Sequence, residues 1–121
     1  MKFGNAYCPS RGDIVWLSFS PQSGCEQAGI RPAITLSPYD YNKKTGLALF
    51  CPITSKEKDY PFEVKIPKLD SRNTIGGIVL SDQVKSFDWR SRSPEYISTI
   101  DSKVLDDILE NVCLLIGNKL F

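Results

Sequence analysis

Gly12–Ser37 reads GDIVWLSFSPQSGCEQAGIRPAITLS, an apolar run that opens into a polar loop and closes on Glu26, Arg31 and Pro32 before a second apolar run begins. The two runs, Asp13 to Phe19 and Ala33 to Ser37, are short, rich in β-branched and aromatic residues, and bounded by turn formers, so they predict strands. The same pattern recurs at Leu47 to Ile53, Phe62 to Ile66, Gly77 to Leu80 and Val84 to Trp89. Short strands at this spacing predict a sandwich or small barrel. Between them, Asn42 to Gly46 (NKKTG) reads as a hairpin turn with Gly46 free to take a positive φ, and Ser81-Asp82 as a tight link. Trp16, mid-strand in IVWLSF, reads as core, while Trp89, beside Arg90 and Arg92, is open between core and a stacking platform.

One stretch breaks the period of two. From Ser102 to Ile116, Val104, Leu105, Ile108, Leu109, Val112, Leu115 and Ile116 recur at steps of three and four, opposite a polar side of Lys103, Asp106, Asp107, Glu110 and Asn111. Asp101 is placed to cap the N-terminus and Gly117 to end the helix. A single helix of this length hardly persists alone in water, so the stripe reads as closure of the core. The whole is mainly β with a C-terminal helix.

Composition narrows the setting. The chain has 121 residues, which suits one domain with a sizeable core and leaves no room for a second catalytic module. Its 15 basic and 14 acidic residues give a net charge of +1, but they are unevenly placed. Five acids and two lysines follow Ser93, whereas residues 1–92 carry thirteen bases and nine acids. A basic front and an acidic tail permit phosphate contacts without general stickiness. There is no histidine, which removes imidazole catalysis, and the four cysteines, Cys8, Cys25, Cys51 and Cys113, form no CxxC pair, so the usual zinc spacings are absent. The thiols read as structural, with redox control at Cys25 as the other reading. No metal or cofactor is expected. No apolar segment reaches the roughly 20 residues of a membrane span, and MKFGNAYCPSRGD lacks the apolar stretch of a signal peptide, so a cytoplasmic home is the expectation.

GD before the first strand, EQAG-x-RPA across the loop, LSPYDYNKKTG next, then CPIT, YPFEV and SDQVKSFDWR occur in that order. In that order they resemble the MazF/PemK toxins, over about residues 10 to 117. The resemblance implies a small SH3-like β-barrel, spanning residues 1–121 as a single domain. It also implies a sequence-specific, metal-independent endoribonuclease of a toxin–antitoxin pair, cutting single-stranded messenger RNA to 2′,3′-cyclic phosphate and 5′-hydroxyl ends. The expected partners are RNA, an antitoxin protein and a second copy of the chain.

Cleavage of this kind needs removal of the 2′-hydroxyl proton, neutralisation of the phosphorane and protonation of the departing oxygen. Glu26 is the expected proton acceptor. Arg31, biased to extended geometry by Pro32, offers a forked cation for charge stabilisation. The family is often described with this arginine as general acid, but a guanidinium with a pKa above ~12 releases a proton reluctantly. Thr54 of CPIT is the third catalytic candidate. For RNA binding the resemblance points to Phe19, Ser20, Asn42, Gln83 and Lys85, and Lys56 could hold a neighbouring phosphate. Taken singly, each has an ordinary reading: Glu26 and Arg31 as a surface ion pair worth roughly 0–1 kcal/mol, Thr54 as a strand residue, Lys56 as solubility. A different class of function is a gyrase-inhibiting toxin of the CcdB type, similar in fold, in which the terminal helix would bind a protein and no chemistry would occur.

Overall fold

The structure, a computed structural model, describes residues 7–20, 29–67 and 76–117. In chain order the elements are β1 (Asp13–Ser18), β2 (Ile30–Thr35), α1 (Tyr39–Thr45), β3 (Leu47–Thr54), β4 (Glu63–Ile66), β5 (Gly77–Leu80), β6 (Lys85–Asp88), a 3-10 turn (Trp89–Ser91), β7 (Glu95–Thr99) and α2 (Ser102–Ile116). The strands run in the order β4-β5-β3-β2-β1-β7, with β6 pairing β3, every pairing antiparallel, and the sheet curls as a half-barrel.

β3 organises this sheet. One edge pairs β2, and the other pairs β6 through Leu47–Phe50 and then β5 through Ile53 and Thr54. The change of partner falls at Cys51-Pro52, where Pro52 has no N–H to give to a ladder, so a residue normally kept from central strands sits where little pairing is lost. Successive residues feed opposite faces, as strand geometry requires. Ile14, Ile34, Leu36, Cys51, Ile53, Ile66, Val79 and Ile100 form one core cluster with Ile108 of α2, and Val15, Leu17, Phe19, Ala33, Ala48, Phe50 and Trp89 form the other. Burial on both faces explains why IVWLSF shows almost no polar alternation.

α2 keeps its expected bounds, with the Asp101 carboxylate accepting from the Lys103 N–H at 3.1 Å and Gly117 left-handed. Val104, Leu105, Leu109 and Val112 pack on the first cluster around buried Ile108. The stripe does not stop there. Leu115 and Ile116, with Leu114, stay exposed, so only the first three turns close the core.

Three expectations need correction. NKKTG is not a hairpin turn but the end of α1, which Gly46 terminates at φ 78° by giving its N–H to the Asn42 carbonyl. Trp16 is 40% exposed, because α2 covers that face over Ile14 and Ile34 and leaves Trp16, two residues along β1, open to solvent. β7 has no counterpart among the strands expected from sequence; it pairs β1 from Asp13↔Thr99 onward with mostly exposed side chains, so it lacks the apolar run by which the other strands are recognised. Trp89 resolves as core, its indole N–H donating to the Asn42 carbonyl at 2.9 Å.

Among the described residues no helix is long and apolar enough to cross a membrane. Of the described cysteines, Cys113 is exposed, Cys8 intermediate and Cys51 buried; Cys25 lies outside the described residues. Burial, and secondarily the charge of Asp82, pushes the Cys51 thiol up to about 12 from an ordinary 9.0. The folded chain therefore holds this proton more tightly than the unfolded one. Its share of stability is intact below pH 9 and is lost as pH rises through about 12. Urea melts at steps from pH 7 to 11 should show an alkaline limb approaching about 1.4 kcal/mol per pH unit that flattens in Cys51→Ala.

Candidate active site

Arg31 lies on β2 directly opposite Leu17 of β1, half-buried, with Pro32 behind it. On the other side β2 pairs β3 through Thr35↔Phe50, Ile34↔Cys51 and Ala33↔Pro52. Arg31 precedes Ala33 by two residues and Thr54, the last residue of β3, follows Pro52 by two, so both lie just past the last paired residues at adjoining ends of the two strands. A guanidinium and a hydroxyl at adjoining strand ends could both serve one phosphate.

Thr54 is also one rim of a cleft of about 310 Å³, lined by Lys56, Lys58, Tyr60, Glu63, Leu80, Asp82 and Gln83. The Lys56 N–H donates to the Thr54 hydroxyl at 3.3 Å, folding the chain so that its lysine follows the threonine into the cleft. Gln83 stands in the turn between β5 and β6, its N–H donating to the Leu80 carbonyl at 3.0 Å. The sequence thus brings Thr54, Lys56 and Gln83 together. Lys85 begins β6 opposite Phe50. Beneath Thr54, Gly77 holds φ 153° with its Cα so near that an added Cβ would lie 2.9 Å from the Thr54 carbonyl oxygen and 2.9 Å from Ile53. No side chain larger than hydrogen fits there without moving the end of β3.

Glu26 lies outside the described residues, but the two ends of its loop are fixed. The Phe19 N–H donates to the Gly29 carbonyl at 2.9 Å, and the Gly29 N–H donates to the Ser20 hydroxyl at 3.3 Å. Arg92 clamps the same point from the far end of the chain. Its Nη1 donates to the Ser18 carbonyl at 2.7 Å and to the Ser20 carbonyl at 2.9 Å, while its guanidinium rests 3.8 Å from the centre of the Phe87 ring. Ser20 is exposed beside this clamp. Arg92→Ala should therefore loosen the neck of the loop and lower the melting temperature, which a thermal melt checks.

Two RNA-binding candidates are overturned. Phe19 is 2% exposed and stacks edge-on against Phe87 at 5.4 Å, so its ring belongs to the second core cluster. Asn42 is fully buried. Its side chain accepts from the Ser37 hydroxyl and donates to the Pro9 carbonyl at 2.8 Å and the Ser37 carbonyl at 3.0 Å, leaving nothing for a base. Conversely, sequence alone assigns no site role to Arg92, Tyr60 or Asp82, although SDQVKSFDWR and YPFEV mark their neighbourhoods. Among the described residues no group of three or more His, Cys, Asp or Glu side chains could hold a metal ion.

Residues 10–116 match the family model described as PemK-like, MazF-like toxin of type II toxin-antitoxin system. The endoribonuclease toxin MazF of Escherichia coli is 44% identical over 111 residues, covering 92% of this chain and 96% of that protein. The crystal structure of MazF from Deinococcus radiodurans superposes with a TM-score of 0.84 at 45% identity, covering 92% of this chain and 98% of the other. A MazE-MazF crystal structure from the same organism gives 0.77 at 40% identity, covering 92% and 97%. With nearly its full length matched at this level of identity, the chain belongs to the PemK-like, MazF-like toxins of type II toxin–antitoxin systems.

Proposed function

We propose that this MazF-like toxin endoribonuclease cuts single-stranded messenger RNA at a specific sequence without a metal, leaving a 2′,3′-cyclic phosphate and a 5′-hydroxyl. The observation that supports the reading is that Arg31 and Thr54 lie at adjoining ends of the paired strands β2 and β3, with Thr54 on a cleft also lined by Lys56 and Gln83. In this scheme Glu26 takes the 2′-hydroxyl proton, the oxygen attacks the adjacent phosphorus, and the P–O bond to the 5′ oxygen breaks as that oxygen takes a proton from water. Arg31 matches two phosphorane oxygens with parallel donors as charge builds on them. The Thr54 hydroxyl bonds the same phosphate or the leaving oxygen, Lys56 holds a neighbouring phosphate, and the Gln83 amide, able both to donate and to accept, reads a base edge.

The chain acts in the cytoplasm as a homodimer restrained by an antitoxin with an acidic, apolar segment. The MazE-MazF structure of Deinococcus radiodurans supports the antitoxin, and the exposed Leu114, Leu115 and Ile116 at the end of α2 support a self-complementary contact. The test is incubation of the purified chain with a long single-stranded transcript in EDTA, followed by mapping of the cut ends. Cuts at one recurring motif, with 5′ ends that accept phosphate from polynucleotide kinase without prior phosphatase, are expected. An intact transcript, or cutting that EDTA abolishes, overturns the reading.

A further inference from the structure

Among the described residues, Tyr60 is the one aromatic side chain on the cleft that holds Thr54, Lys56 and Gln83, and it is 47% exposed. It sits in the link between β3 and β4, where an exposed tyrosine would ordinarily sample several rotamers. Two contacts fix this one, with Asp82 lining the same cleft. Its ring leans on Phe62, with centroids 6.3 Å apart and planes at 59°. Its carbonyl accepts the Glu63 N–H at 3.0 Å, which ties the residue to the start of β4.

The opposite wall is equally set. Ser81 gives both its N–H and its hydroxyl to the Phe62 carbonyl, and Asn111 of α2 donates to that same hydroxyl at 3.2 Å. Phe62 and Ser81 are therefore knotted together, and the residues beside them, Tyr60 on one strand link and Asp82 and Gln83 on the other, arrive as one rigid unit. A pre-set aromatic face costs little entropy on binding, which is the requirement for stacking an unpaired base. At about 310 Å³ the cleft is at the small end of ligand pockets, suited to one nucleoside. The lysines at its rim supply cations for the phosphates on either side.

We propose that Tyr60 is the stacking platform for the nucleobase next to the scissile phosphate, held at its angle by Phe62 and the start of β4, with the Gln83 amide meeting the edge of the same base. The assignment rests on the ribonuclease reading and adds to it the surface on which one base is held. Stacking on a flat face tolerates any base, so Tyr60 sets affinity and orientation while Gln83 sets choice.

The experiment uses a short RNA carrying one mapped cut site, made uncleavable by a 2′-deoxy sugar at that step, with 2-aminopurine placed in turn on either side of it. Fluorescence on binding is read for the unsubstituted chain, Tyr60→Leu and Tyr60→Phe, and kcat and KM are measured on the cleavable parent. The unsubstituted chain is expected to quench the probe at one of the two positions. Tyr60→Leu should lose the quench and raise KM about tenfold, with kcat within about threefold. Tyr60→Phe should keep the quench and leave KM within about threefold, because the ring and its contact with Phe62 stay. If the unsubstituted chain cuts the parent but Tyr60→Leu keeps both the quench and KM, this assignment fails and the ribonuclease reading stands. Equal loss of kcat in both variants also overturns it. If the unsubstituted chain neither binds nor cuts RNA, both fall together.

Discussion

Arg31→Ala is expected to slow RNA cleavage by about 10²–10³-fold, the usual cost of removing one donor aimed at charge that develops in the transition state. The loss should sit mainly in kcat, since a guanidinium matched to the phosphorane contributes more there than to the bound ground state. Stability should change little. Arg31 is near the end of β2, half-buried, and its main-chain pairing to Leu17 does not depend on the side chain. Arg31→Lys should recover only part of the rate, because an ammonium keeps the charge but lacks the fork that grips two oxygens. Initial rates on a fluorescent single-site RNA in EDTA, beside a thermal melt of each variant, decide the matter. A rate within about threefold of the unsubstituted chain would remove Arg31 from the mechanism.

Asn42→Ala should have the largest effect on folding, destabilising the chain by about 3–5 kcal/mol. The truncated side chain would abandon the Pro9 carbonyl, the Ser37 carbonyl and the Ser37 hydroxyl inside a fully buried pocket. That hydroxyl also accepts the Leu49 N–H at 2.9 Å, so the damage reaches β3. Urea unfolding should show a lower midpoint at unchanged slope. An RNA contact would behave oppositely, raising KM without touching the midpoint, and that result would return Asn42 to the binding surface.

The contrast between these two residues shows what the sequence could reveal. Arg31 is legible because Pro32 fixes the backbone before it and the apolar runs on either side fix the strands. α2 is legible for the same kind of reason, a period sustained over fifteen residues with a cap at each end. Asn42 misleads because its neighbours Lys43, Lys44 and Gly46 have the composition of a turn, and the burial that decides its role comes from Pro9 and Trp89, distant in the chain. Trp16 misleads in reverse: strand position implies burial only where another layer covers that stretch of the sheet, and the reach of α2 is not written in β1. Arg92 could not be found by pattern at all, since its partners Ser18 and Ser20 contribute main-chain carbonyls, which carry no sequence signature. Thr54, Lys56 and Gln83 are found through the matched motifs, and the fold of the chain after β3 together with the β5–β6 turn accounts for how they reach one place.

β7 completes the sheet by pairing with β1, and its Thr99 hydroxyl reaches back 86 residues to Asp13. Contacts that enclose so much chain are slow to form and cannot form before the later partner exists. As the ribosome extends the polypeptide, Thr54, Lys56, Tyr60 and Gln83 all emerge ahead of Arg92, which grips the neck of the loop, and of the edge strand β7, which pairs β1. A nascent chain thus carries the cleft residues before the sheet that frames them is complete. The sheet of this chain therefore closes last at the edge where its earliest and latest segments meet.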